Sequence, residues 1–217
     1  MEKISDNDTT ILFVVRHGET EWNLVGKQQG HLDSPLTGVG IRQAHALAEG
    51  LATKGIEVIY SSDLGRAMQT AEVIAARLQL PVTSDRRLRE RHLGLMQGMT
   101  MVDFRDRNPD AFARFESGDD AYLLPGGEST RQIYERCVAC CIELAAQHPG
   151  GKMLVVTHGG ALSSLMRYAL NVALSEPRHF SLFNAAINCF VVSGETWRLD
   201  TWGDISHLRE ITTLDDA

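Results

Sequence analysis

Short apolar runs alternate along the chain with longer stretches in which apolar residues recur at helical spacing. Thr10 to Val15 reads as a buried strand. Thr37 can cap a helix that carries Ile41, Ala44, Ala48 and Leu51 on one face and stops at Lys54-Gly55. Glu57 to Ser61 reads as a second strand, and Leu64 to Leu78 as a second helix with Ala67, Ala71, Ile74 and Leu78 aligned ahead of Pro81. Val82 to Ser84 is a short third strand. Ser129-Thr130-Arg131-Gln132 has the form of a capping box, after which Ile133, Cys137, Cys141 and Leu144 repeat until Pro149-Gly150-Gly151. Lys152 to Thr157 is a strand, Ala161 to Leu170 a helix, and Ile187 to Val192 with Thr196 to Thr201 a terminal hairpin. This order predicts an α/β fold, a three-layer α/β/α sandwich with a mainly parallel central sheet, in one domain over residues 1–217. The pattern breaks between Gly94 and Gly127, where charged residues mix with Phe104, Phe112, Phe115 and Tyr122. One or two short helices lying over the sheet edge as a lid, residues 95–127, suit that stretch.

Composition excludes several classes. With 217 residues, 43% hydrophobic and 23% charged, the chain is ordinary globular material. Apolar runs such as Ile11 to Val15 fall far short of the roughly 20 residues of a membrane span. The polar start, Met1 to Thr10, lacks the pattern of a secretory signal, so the sequence is placed in the cytoplasm without a membrane partner. Lys and Arg number 21 against 28 Asp and Glu, a net charge of -7 that repels polyanions and argues against nucleic acid. An anionic substrate would therefore need a local pocket of cations. Cys137, Cys140, Cys141 and Cys189 lack a second spaced pair for zinc and read as small buried thiols. Nor do any two of the eight histidines stand at i, i+4, which leaves a metal site without its usual spacing.

The chemistry gathers where strands end, which is where parallel α/β sheets bind ligands. Arg16-His17-Gly18-Glu19-Thr20-Glu21-Trp22-Asn23 follows the first strand, Ser61-Ser62-Asp63-Leu64-Gly65-Arg66 the second, and Thr157-His158-Gly159-Gly160 the strand after Lys152. A phosphoryl group is best held by arginine forks, imidazole and backbone amides, and Arg16, Arg66 and His158 are such groups. Gly18, Gly159 and Gly160 let backbone come close, and a helix starting near Gly160 adds free amides. A neutral histidine can then attack phosphorus in line.

Arg16-His17-Gly18 after one apolar strand and His158-Gly159 after a later one resemble the histidine phosphatase superfamily, the phosphoglycerate mutase-like family. Further landmarks in the same order are Gln29-Gly30-His31-Leu32-Asp33-Ser34-Pro35-Leu36-Thr37, Ser61 to Ala67, Leu88-Arg89-Glu90-Arg91-His92-Leu93-Gly94 and Gly126-Gly127-Glu128-Ser129. The resemblance implies a phosphohistidine on His17, a phosphate pocket of Arg16, Arg66 and His158, further donors from Asn23 and the Gly159 backbone, and Glu90 as the proton donor that then activates water. Gln29, Gly30 and Asn184 are added as substrate-binding candidates, with a local cap open for Asn23 and a turn for Asn184. It implies no metal and no cofactor. The acid phosphatase branch places an aspartate after the second histidine, where this chain has Gly159, which leaves proton transfer to Glu90.

Leu93 where the mutases carry tyrosine, Gln29-Gly30 in place of their Thr-Gly pair, a shorter Glu90 to His158 interval, and the ending Trp202 to Leu208 resemble the small phosphatases of the family. The expected activity is hydrolysis of a small phosphorylated metabolite. A cofactor-dependent phosphoglycerate mutase, a metallohydrolase and a non-catalytic phospholigand-binding module are the alternatives. Trp22 reads as packing, Arg105, Arg107 and Arg114 as surface partners of Asp103, Asp106 and Asp110 or as contacts for a second anionic group, and a homodimer as the commonest closed assembly.

Overall fold

The computed structural model describes residues 9–194, 196–213 and 215. Its sheet is built around β1 (Thr10–Arg16), which pairs in parallel with β4 (Lys152–Thr157) and antiparallel with β5 (Ile187–Ser193). With β2 (Val58–Ser61), β3 (Val82–Ser84) and β6 (Thr196–Asp204), the strand order is β3-β2-β4-β1-β5-β6. The four strands from β3 to β1 run parallel, and the terminal hairpin continues the sheet antiparallel.

The unbroken apolar run of β1 has a simple cause, since successive side chains of a strand point to opposite faces and both faces are covered. Leu12 and Val14 join Met153, Val155 and Phe190 on the face packed by α6 (Thr130–Ala146) and α7 (Gly159–Leu170). Phe13 and Val15 join Ile59, Leu154 and Val156 on the face packed by α2 (Gly38–Leu51) and α3 (Gly65–Leu78). The helices supply Val138, Leu144, Leu162 and Leu165 on one side and Leu47, Leu51, Ala71 and Ile74 on the other. This is the α/β/α arrangement expected from the pattern.

Caps set several boundaries. Thr37 accepts from the Gly40 amide at the start of α2, and Ser129 and Gln132 close a reciprocal capping box on α6. Several ends differ from the sequence reading. α7 starts at Gly159, two residues early, because the turn after β4 leads straight into it despite the poor helix propensity of its glycines. α3 starts at Gly65 with Leu64 outside, and β6 runs on to Asp204 beside β5. A single-turn helix, α1 (Glu21–Leu24), is too short to show as periodicity.

Between β3 and α6 lie α4 (Met101–Arg107) and α5 (Pro109–Glu116). They fold around fully buried Phe104, which meets Phe112 and Phe115 edge-on at 6.0 and 6.2 Å between centroids, with Leu93, Met96 and Leu124 completing the cluster. Arg105, Arg107 and Arg114 stay exposed and face Asp106, Asp103 and Asp119. Arg114 thus pairs with Asp119 across the end of α5, and Asp110 plays no part. All four cysteines are buried and free, and burial pushes the Cys137 and Cys140 thiols up to about 12. Among the described residues no helix is long and apolar enough to cross a membrane.

Candidate active site

The parallel register sets Arg16 beside Thr157 and Ser61 beside Val156, so β1, β4 and β2 end level with one another. His17 and Ser62 continue the ladder for one more bond each, His17 N–H to the Thr157 carbonyl and Ser62 N–H to Val156, both at 3.0 Å. The next side chains in line are His17 and His158, whose rings stand 5.2 Å apart. Level strand ends therefore turn three distant sequence motifs into one site.

Hydrogen bonds assign the His17 tautomer. Nδ1 lies 2.8 Å from the Gly18 carbonyl, which can only accept, so Nδ1 carries the proton. Nε2 then presents its lone pair, and Arg66 Nε–H donates to it at 3.2 Å. Burial, reinforced by the Arg66 and Arg16 charges, holds this imidazole well below its ordinary pKa and keeps it neutral. His158 is fully buried, with Nε2 2.8 Å from Ser62 Oγ and no partner for Nδ1 among the described residues; burial and the Arg66 charge lower it too.

Two neutral buried imidazoles make the fold sensitive to acid. Unfolded histidines protonate near pH 6.5, whereas these remain neutral in the native state until lower pH, so the unfolded chain binds more protons as pH falls. Stability is therefore expected to drop below about pH 6.5, by about 1.4 kcal/mol per pH unit for each ring once its unfolded form is fully protonated. Urea melts of the wild type and His17→Gln check this. The variant loses stability less steeply between pH 7.5 and 5.5.

Arg66 is almost fully buried and held on every side. Nη1 donates to Asp33 Oδ1 and the Leu32 carbonyl, both at 3.0 Å, and Nη2 to the Gly30 carbonyl at 2.8 Å. Burial pulls its pKa down and Asp33 offsets part of this. The Gln29 to Asp33 loop thus works as a clamp, and the Gly30 carbonyl serves the arginine. Gly30 adopts φ +55, and a Cβ there would strike Gln97. Arg16 is buried nearby, with Nη1 donating to the Leu182 carbonyl.

Glu90 sits on an irregular segment pinned from three sides. Asp63 grips the preceding Arg89 in a two-bond fork, both at 2.6 Å. Arg136 of α6 donates to the carbonyls of Arg87, Arg89 and Glu90, and Thr157 Oγ1 to that of Leu88. The Glu90 carboxylate accepts from the Arg91 and Gly160 amides at 2.7 and 3.0 Å. The amide expected to stand free near Gly160 is therefore taken by Glu90. A Cβ at Gly160 would collide with that carboxylate, so this cleft-lining glycine makes room for Glu90.

A cleft of about 220 Å³ opens over these groups, lined by Arg16, His17, Asn23, Gln29, Gly30, Arg66 and Glu90. Asn23 does what the capping alternative required, its Oδ1 accepting from the Thr20 amide and hydroxyl, while it also borders the cleft. Gln29 donates to Thr20 Oγ1 and keeps a buried Oε1 without partner among the described residues. His158, Gly159 and Asn184 lie beneath the lining, and Asn184 Nδ2 donates to the His17 carbonyl at 3.0 Å as a brace from behind. Sequence reasoning missed Arg91, Lys27, Gln28, Leu93, Met96 and Phe115 as lining residues and gave Trp22 to packing; all of them border the cleft. The signal was present for Arg91 only as the neighbour of Glu90. Among the described residues no three His, Cys, Asp or Glu side chains are grouped to hold a metal ion.

Residues 12–205 match the family model described as histidine phosphatase superfamily (branch 1). "Phosphoglycerate mutase-like protein 4" of Arabidopsis thaliana is 42% identical over 209 residues, 94% of this chain and 90% of that protein. "Metal-independent phosphoserine phosphatase" of the same plant is 37% identical over 212 residues, 96% and 87% of the two chains. The phosphoserine phosphatase of Entamoeba histolytica, solved with 3-phosphoglyceric acid, superposes with a TM-score of 0.82 at 30% identity, covering 92% of this chain and 99% of its own.

Proposed function

The chain belongs to the histidine phosphatase superfamily and is a phosphomonoesterase, and we propose that it works through a phosphohistidine on His17, with Glu90 as the proton donor. The observation that carries this reading is the Arg66 Nε–H donating to His17 Nε2, which puts a nucleophilic lone pair beside the cation that would hold the phosphoryl oxygens. Arg16 and Arg66 neutralise the phosphoryl group, and the unpartnered His158 Nδ1 supplies a further contact. His17 Nε2 attacks phosphorus, the P–O bond to the leaving group breaks, and Glu90 gives that oxygen its proton. The resulting carboxylate takes a proton from water, which attacks the phosphorus and releases inorganic phosphate with neutral His17. The chain forms one domain with α4 and α5 as a lid, and the cytoplasm, where free thiols persist, is its place.

A small phosphorylated metabolite is the substrate class. Phosphoserine phosphatases among the relatives support it, as does a cleft below the roughly 300–1,000 Å³ common for drug-sized ligands. Water is the acceptor, favoured by apolar Leu93 in the cleft wall. The test is a rapid quench with ³²P-labelled substrate. Acid-labile, base-stable label on His17 is expected, with turnover blocked by orthovanadate, a mimic of five-coordinate phosphorus, and indifferent to EDTA. Activity abolished by EDTA and restored by a divalent ion would overturn the reading.

A further inference from the structure

We propose that the segment following β6, from His207 to Asp215, is a positioning strap for the nucleophile and its neighbouring arginine, with Asp215 acting on Arg16 through Leu182. The proposal rests on the phosphohistidine reading, which gives Arg16 to the phosphoryl group and His17 to the attack. No described residue of the strap borders the cleft, so its influence is exerted from behind.

One turn, just ahead of β5, grips both catalytic neighbours. The Leu182 carbonyl accepts from Arg16 Nη1, Asn184 Nδ2 donates to the His17 carbonyl at 3.0 Å, and the Ala185 amide donates to the Arg16 carbonyl at 3.1 Å. Each of these three residues is held again, through a second polar group, by the segment after β6. Asp215 Oδ1 accepts from the Leu182 amide at 2.6 Å, and Thr213 Oγ1 donates to the Asn184 carbonyl at 2.7 Å. His207 Nε2, facing a carbonyl that can only accept, donates to that of Ala185 at 2.9 Å. A fourth tie runs through fully buried Gln43, whose Nε2 donates to the Thr212 carbonyl at 2.7 Å and whose Oε1 accepts from the Glu19 amide at 2.8 Å.

The turn needs that outside support. Ala185 is buried at φ +56, the left-handed region that a Cβ disfavours, and such a conformation persists only where its surroundings fix it. Arginine is also long and flexible, whereas a group that meets a reacting phosphoryl has to be held within about 0.5 Å of its productive place. The Leu182 carbonyl anchors Arg16 Nη1, and the Asp215 carboxylate fixes Leu182 with a charge-assisted bond. Arg66 is held differently, by Gly30, Leu32 and Asp33, with no part played by the strap. Asp215 is therefore a positioning residue for one of the two arginines.

The test reads p-nitrophenyl phosphate turnover and orthovanadate inhibition in variants whose folding is checked by urea melts. Asp215 is exposed, so its replacement leaves the core closed. Asp215→Ala is expected to lower kcat/KM and weaken vanadate roughly 10-fold, the lower end of what a hydrogen bond to a charged group contributes. Asp215→Asn keeps the Oδ1 acceptor and should recover most of both. Thr213→Val, which removes the tie to Asn184, gives an independent reading expected at about threefold, with Thr213→Ser restoring it. An Arg16→Gln background separates positioning from general loosening, because Asp215→Ala should cost nothing further once the group it positions is gone. A loss that persists in full in that background, or wild-type values in both Asp215→Ala and Thr213→Val, overturns the strap while leaving the phosphatase reading intact. If the wild type turns over no p-nitrophenyl phosphate, the phosphatase reading falls, and the strap with it.

Discussion

Replacing His17 by Ala is expected to lower kcat on the order of 10⁶-fold, the scale of loss when a nucleophile is removed from catalytic groups that act as a unit. The fold should tolerate the change. Arg66 keeps its bonds to Asp33, Leu32 and Gly30 without the imidazole, so the phosphate cradle keeps its shape. Vanadate should still bind, but with its axial ligand gone, and no label should remain on the quenched protein. A steady-state assay with p-nitrophenyl phosphate checks this; a loss below about 100-fold would mean that another group attacks phosphorus.

The second large effect concerns Glu90→Gln, and it depends on the leaving group. General acid catalysis contributes about 10²–10⁴-fold when the departing oxygen is a poor leaving group. Alkyl phosphates should lose activity by that factor, whereas a nitrophenolate departs without a proton. The variant should therefore still phosphorylate His17 from p-nitrophenyl phosphate in a burst, then stall, because water has lost its base. Gln can still accept from one of the two amides that hold the carboxylate, so gross misplacement of the segment is not the expected cause. Equal losses for alkyl and aryl phosphates in the burst phase would place the proton donor elsewhere.

Both expectations lean on features that differ greatly in how visible they are in the chain. The layers were legible because each apolar run obeys local rules: two-sided burial makes β1 continuous, and one-sided burial makes α2 and α3 periodic. Strand order was not, since nothing local in Val58 to Ser61 says that β4, almost a hundred residues later, lies between it and β1. The same division holds in the site. Arg16, His17, Arg66, Glu90 and His158 stand out because strand ends converge and the motifs are contiguous. Asp33 does not, because its pairing with Arg66 is made across 33 residues of chain. Arg91 could be read only as a flank of Glu90, and its placing depends on Glu128 and Thr130 from another segment. Asn184, read as a pocket amide or a turn residue, donates to the His17 carbonyl from behind, a contact set by how the chain enters β5.

The placing of β1 between β4 and β5 has a consequence for biosynthesis. β1, which leads into His17, is translated well before both of its neighbours, which are encoded far downstream from Lys152 and from Ile187. At about 5–20 residues per second, the ribosome needs roughly 7–30 s after Arg16 to reach Lys152. Throughout that interval the backbone edges of β1 lack both of their hydrogen-bonding partners. The level strand ends that gather the site therefore exist only after translation has passed β4 and β5.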